Sequence, residues 1–277
     1  MIEFNYKALP WNIVFAVGGL QTLPNELDKL GKRRALILTT PNQAEQGREL
    51  AKLLGDRAVG LFDQAAMHVP AATLEAATDF CHSLAADCTV ALGGGSTIGL
   101  GKALAVKEGL DNIVIPTSYA GSEMTDIWAV TEAERKVTAR NYAAVPTLTL
   151  YDPQLTLTLP PEFSAASGLN AMAQAVVNVA TDKPNPIISS LALDGIRALA
   201  ASLPIIMKDP QNIEARSQAL YGASMAGGAL GMGITSLHHR LCHTFGGTFN
   251  TPHAETHAIL LAHSVAYNAA AAAKGSQ

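Results

Sequence analysis

Large aromatic side chains are scarce in this chain. Phe, Trp and Tyr make up 5% of 277 residues, and charged residues only 15%. Interiors therefore have to be filled by small and branched residues, a composition suited to closely packed helices and to close backbone approach to a ligand. Cysteine is also sparse: Cys81, Cys88 and Cys242 form an odd set with no CxxC pair. That argues against a disulfide framework or a thiolate zinc site and points to a reducing, cytoplasmic setting. No basic stripe accompanies the net charge of −4, so nucleic acid is not an expected partner. The N-terminus MIEFNYKALPW lacks the basic and apolar regions of a signal peptide, and no uninterrupted apolar run reaches membrane-spanning length.

Strand and helix signals alternate in the first half. Arg34–Thr40, Ala58–Phe62, Cys88–Leu92 and Asn112–Pro116 are short apolar runs that predict strands, the first of them buried. Helix-periodic segments at about 43–54, 71–86 and 97–107 lie among them, which implies a parallel sheet with helices on both faces. Beyond Pro160-Pro161 every segment is helix-periodic: about 163–181, 186–203, 211–229, 234–245 and 254–272. Pro184 and Pro186, then Pro204 to Pro210, read as breaks between helices. The expected organisation is an α/β domain over 1–160 and an all-helical domain over 161–277, with a ligand cleft between them.

Three stretches carry candidate chemistry. Gly93-Gly94-Gly95-Ser96 sits between a strand and a helix. Glycines there allow backbone N–H groups to approach a phosphate, and Ser96 is placed to cap the helix; a tight turn without a ligand is the alternative. Thr117-Ser118-Tyr119-Ala120-Gly121-Ser122-Glu123-Met124-Thr125 follows another strand, at the edge where doubly wound sheets bind ligands. A polar turn with a helix cap would explain the same residues. Finally, six of the eight histidines fall within 238–263. His239 and His243 are four apart, hence on one helix face, and His253, His257 and His263 follow. Metal binding and a cationic pocket that grips an anion and donates a proton both remain open.

In this order the pieces resemble the iron-containing (group III) alcohol dehydrogenases and, within them, the maleylacetate reductases. The resemblance is carried by LTTPNQ (38–43), FDQAAMH (62–68), ALGGGSTIGLGKA (91–103), IPTSYAGSEMT (115–125), Lys136, YDPQLTLTLP (151–160), SGLNAMAQA (167–175) and LHHRLCHTFGGTFNTPHAETHA (237–258). It spans essentially the whole chain. It implies a Rossmann-like α/β domain plus an all-α domain in the dehydroquinate synthase-like architecture, with the helical domain shorter than the family's, and a homodimer. It also implies NADH or NADPH as cofactor. Gly94, Gly95 and Ser96 would hold the pyrophosphate. Thr117, Ser118 and Ser122 would line the nicotinamide, and Thr125 and Lys136 would lie near the phosphates or ribose. Thr39, Thr40 and Pro41 would face the adenine ribose.

Metal-dependent relatives bind their ion through an Asp and a His four apart, then two further histidines. Here those positions read Asn170, Gln174, His239 and His253. Neutral amides are poor ligands for zinc or iron(II), so no metal is expected. Val177 stands where relatives tend to have an acidic residue. The implied reaction is reduction of maleylacetate or a similar anionic oxo-enoate. His243 would be the proton donor, with His239 and His253 stabilising the enolate or a carboxylate. Asn170 and Gln174 would be hydrogen-bond donors, and Arg240 and His257 would contact carboxylates. Arg240 follows His239 directly, which turns it toward another face. A nucleotide-binding pseudoenzyme or partner-dependent subunit, and a reductase of another small carbonyl compound, are the competing readings.

Overall fold

The computed structural model describes residues 3–133, 135–181, 184–234, 237–249 and 251–275, without the side chains of residues 243, 247, 253 and 268–275. The chain forms two compact units. One comprises Pro10–Ser118 and Asp126–Leu155; the other comprises Met1–Leu9, Tyr119–Thr125 and Thr156–Gln277.

In the first unit a six-stranded, all-parallel sheet is built from β1 (Ile13–Phe15), β2 (Ala35–Leu38), β3 (Ala58–Phe62), β4 (Cys88–Gly93), β5 (Asp111–Pro116) and β8 (Leu148–Tyr151). Its order is β1-β8-β5-β4-β2-β3. Side chains alternate across the strands, as the two-residue strand period requires. Leu36, Leu38, Ala91 and Val114 face one way and pack with Leu74, Ile98 and Leu104. Ala35, Ile37, Val90, Leu92, Ile113 and Ile115 face the other and pack with Leu23, Leu27, Leu50 and Leu54. Those partners come from α1 (Leu23–Lys29), α2 (Ala44–Leu54), α3 (Ala71–Ser83) and α4 (Gly95–Glu108). A strand buried on both faces reads as a continuous apolar run, which is why β2, β4 and β5 are legible from sequence.

Three features of this unit escape the apolar pattern. β1 and β8 are three and four residues long, too short to show a period. The antiparallel hairpin of β6 (Ile127–Glu132) and β7 (Arg135–Arg140) lacks an apolar signal because every described residue of β7 is exposed.

The second unit holds α5 (Pro161–Val179), α6 (Pro186–Lys208), α7 (Ile213–Met232), α8 (Leu237–Phe249) and α9 (His253–Gly275). Proline opens α5 and α6, where a missing N–H costs no helix bond. Asn185 caps α6 by accepting from the Ile187 and Ile188 N–H groups, and Asn212 caps α7 by accepting from Ala215. Pro204 does not break the chain as expected: it lies inside α6, which runs on to Lys208. Leu203 and Ile206 are buried on either side of it. Burial of two such side chains contributes about 1.5–3 kcal/mol each, which offsets the roughly 3 kcal/mol that an interior proline costs. The expected break falls instead at Asp209–Asn212. α6 is also long and apolar enough to cross a membrane by length and composition, a property it shares with core helices; it packs against α5 and α7.

Candidate active site

In the sheet unit the connection from β2 leads to β3 on one side, whereas that from β4 leads to β5 on the other. The point where strand connections diverge leaves a crevice at the strand carboxyl ends, the usual ligand position in such sheets. Thr39, Thr40 and Pro41 follow β2, Gly93 ends β4 and Gly94 to Ser96 follow it, and Thr117 and Ser118 follow β5. These loops are tied together. Gln43 Nε2 donates to Thr117 Oγ1 at 3.0 Å, and the Thr117 N–H donates to the Gly93 carbonyl at 3.0 Å.

The glycine loop has the shape of an anion cradle. α4 starts at Gly95, with extended Gly94 as its N-cap and no side chain capping it. Ser96 therefore lies inside the first turn and is not the cap expected from sequence. A Cβ on Gly94 would sit 2.9 Å from Ser118 Oγ, whereas one on Gly95 would meet nothing within 4 Å. The backbone thus approaches Ser118 on one side and leaves open space at the helix N-terminus on the other. Oriented N–H groups and the positive end of a helix dipole favour a phosphate there. The buried hydroxyls of Thr39 and Thr97 have no hydrogen-bond partner among the described residues, so the same region offers unused polar groups. These residues fit a dinucleotide. Lys136 lies on exposed β7.

In the helical unit the segment Tyr119–Thr125 is held against the helices by several contacts. Gly227 of α7 is required there, because a Cβ would run into the Gly121 backbone. Ser167 Oγ accepts from the Tyr119 N–H at 3.1 Å. Gln174 Nε2 donates to the Ala120 carbonyl at 3.2 Å. Thr125 Oγ1 donates to the Ser122 carbonyl, which commits it to the local turn.

Gln174 thus donates one of its two amide N–H groups to the protein backbone. The Asn170 Oδ1 and Gln174 Oε1 atoms are both buried without a hydrogen-bond partner among the described residues. Val177 is buried on the same helix. Two neutral amide oxygens and the imidazole of His239 bring no negative charge, and they do not fit the iron(II) or zinc shell of metal-dependent relatives.

Arg216 is fully buried in this unit. Its guanidinium donates to Tyr119 Oη at 3.3 Å, Ser164 Oγ at 2.7 Å, and the Pro210 and Leu159 carbonyls. Sequence reading missed it, because a lone arginine in a helix carries no pattern.

α8 and α9 bring His238, His239, Cys242 and His257 into one buried group. His238 and Cys242 are one turn apart on α8. The rings of His238 and His257 have centroids 4.9 Å apart, and those of His239 and His257 are 5.1 Å apart. His238 Nε2 meets His257 Nδ1 at 3.0 Å and Cys242 Sγ at 3.6 Å, and these three atoms all lie within 4.8 Å of one another. Burial lowers the pKa of His238 below the ordinary imidazole value and pushes the Cys242 thiol up to about 11, so both favour the neutral form. Arg240 is exposed and outside this group, as its position next to His239 requires, and His263 is exposed too. The side chains of His243 and His253 lie outside the described residues. His238, Cys242 and Ser264 were given no role from sequence; the spacing of 238 and 242 was the available signal.

The profile described as iron-containing alcohol dehydrogenase matches residues 10–153, and that of the family's C-terminal region matches 164–276. The chain belongs to the iron-containing alcohol dehydrogenase family. It is an oxidoreductase fold of α/β and all-α parts, as the resemblance implied. Among curated relatives it is 52% identical over 268 residues to maleylacetate reductase of Sphingobium indicum, covering 97% of this chain and 76% of that protein. It is 47% identical to maleylacetate reductase of Burkholderia cepacia, covering 99% and 78%. Among solved structures, maleylacetate reductase of Agrobacterium tumefaciens superposes with a TM-score of 0.94 at 47% identity, over 96% of this chain and 76% of that one.

Proposed function

We propose that this family member reduces maleylacetate, or a similar dianionic 4-oxo-enoate, to the saturated 3-oxo acid with NADH or NADPH and without a metal ion. The observation that carries the metal-free part is the pair of amides at Asn170 and Gln174, with the Gln174 nitrogen committed to Ala120. The substrate class is supported by the 52% and 47% identity to maleylacetate reductases.

When bound, the reduced nicotinamide supplies a hydride. Gly94, Gly95 and Ser96 hold the pyrophosphate at the α4 N-terminus. Thr39, Thr40 and Pro41 face the adenine ribose, and Thr39 in place of an acidic residue at the end of β2 leaves both cofactors possible. Thr117, Ser118 and Ser122 line the nicotinamide. Reduction at the alkene carbon places negative charge on the ketone oxygen as an enolate. Imidazole donors from the histidine-rich segment stabilise that oxygen and return a proton. A cytoplasmic location and a homodimer complete this reading; the three cysteines are free and buried, which suits a reducing compartment.

The test follows NAD(P)H oxidation by absorbance with maleylacetate, with and without chelator. Turnover unchanged by chelator is expected. Chelator-sensitive turnover would sink the metal-free part. Cofactor binding without turnover would favour the second reading, a nucleotide-binding pseudoenzyme, which is supported by the structural use of Gln174.

A further inference from the structure

Arg216 stands near the N-terminus of α7, and its side chain is fully buried. The acceptors around its guanidinium are the Pro210 and Leu159 carbonyls, Ser164 Oγ and Tyr119 Oη, all of them neutral. Ser164 lies near the N-terminus of α5. The cation is therefore set against the first turns of two helices, where the dipoles present positive charge. Glu162 and Glu214 in those turns are exposed and are not among its partners. Burial without a counter-charge and an opposing dipole both cost stability, so helix stability does not account for an arginine here. What it holds does.

Tyr119 is fully buried, and its hydroxyl accepts from Arg216 Nη1 at 3.3 Å while donating to Thr156 Oγ1 at 3.3 Å. At its other end the Tyr119 N–H donates to Ser167 Oγ at 3.1 Å. The next two residues are fixed separately. The Ala120 carbonyl accepts from Gln174, and the Gly121 backbone lies so close to α7 that a Cβ on Gly227 would run into it. These three anchored residues stand between Ser118 and Ser122, the two serines that line the nicotinamide in the function proposed above. Ser118 Oγ is also 2.9 Å from the place a Cβ on Gly94 would take, at the phosphate cradle.

We propose that Arg216 is a positioning residue for hydride transfer: by donating to the Tyr119 hydroxyl it fixes the Ser118–Ser122 backbone, and so the angle at which the nicotinamide ring meets the substrate. This rests on the reductase reading above. Arg216 passes no proton and no electron in this role. Its effect is confined to the nicotinamide end, because the pyrophosphate is held by backbone groups at the start of α4. Transfer between two bound partners depends steeply on their alignment, and a shift of about 1 Å can cost on the order of 100-fold in rate.

The experiment combines kinetics on the full chain, using maleylacetate and NADH, with titration of ADP-ribose, which carries the pyrophosphate but no nicotinamide. Tyr119→Phe removes only the hydroxyl. Arg216→Lys keeps the charge and loses the planar fork that reaches four acceptors. Each is expected to lower kcat roughly tenfold, with KM for maleylacetate and the affinity for ADP-ribose nearly unchanged. The double variant should be no slower than Arg216→Lys alone, because both changes break one connection. Circular dichroism checks that each protein is folded; if Arg216→Lys is not, Tyr119→Phe decides.

Full kcat in folded Tyr119→Phe beside an active parent overturns the proposal. So does a parallel loss of kcat and ADP-ribose affinity, which would mark general damage, and so do losses that multiply in the double variant. A parent that binds NADH without turning over maleylacetate sinks the reductase reading alone. The fluorescence lifetime of bound NADH then carries the test of Arg216: a shorter lifetime in Tyr119→Phe than in the parent supports a ring held through Tyr119, and equal lifetimes overturn it.

Discussion

The glycine loop after β4 and the histidine cluster of α8 and α9 are both small and polar, yet they are made from different materials. The loop uses backbone. Its geometry follows from Gly94 and the start of α4, with Ser118 closing one side. The cluster uses side chains from two helices, and His238 meets its partners nineteen and twenty-six residues away. Backbone sites tolerate change in the surrounding side chains but not a Cβ or a charge at the loop. Side-chain sites depend on helix packing and on each hydrogen-bond direction.

The largest expected effect tests the loop. Gly95→Asp places a carboxylate where the phosphate would lie and should weaken NADH binding on the order of 100-fold, about 3 kcal/mol. Fluorescence titration reads this directly, and affinity within threefold of the parent would remove the loop from the cofactor site. Next comes Arg216→Met, which leaves the polar groups around a buried guanidinium without their donor. A loss of roughly 3 kcal/mol is expected in denaturant unfolding. A change under 1 kcal/mol would mean that the arginine is dispensable and that helix packing alone holds Tyr119–Thr125. The smallest effect is a gain. Pro204→Ala restores a helical N–H in α6 and should stabilise the helical unit by about 1–2 kcal/mol, the helix gain exceeding the entropy returned to the unfolded chain. Destabilisation in the same assay would show that the proline ring fills space which alanine leaves empty.

Much of the fold was legible because its signals are local. β3 matches its expected bounds, and β2, β4 and β5 lie within three residues of theirs. β2, β4 and β5 are apolar runs buried on both faces, β3 is a half-buried apolar run, and helices with clear breaks follow them. The exposed strand β7 had no such signal, and Pro204 misled because a proline's local penalty is visible in sequence while the burial that offsets it is not. In the site, the glycine loop and the histidine-rich segment were both readable. Gln174 was read as a donor, but that its partner is the Ala120 carbonyl was not legible, because it depends on how the segment after β5 lies on α5 and α7. Ser264 carried no signal at all.

The sequence by itself determined the alternation of strands and helices, the glycine loop and the two amides at 170 and 174, because each depends on residue type and near neighbours. Only the tertiary structure decided which carbonyl Gln174 donates to and where Arg216 is buried. Those are settled by hydrogen bonds between residues far apart in the chain, and a side chain with two equivalent ends takes its direction from the partner that packing brings to it.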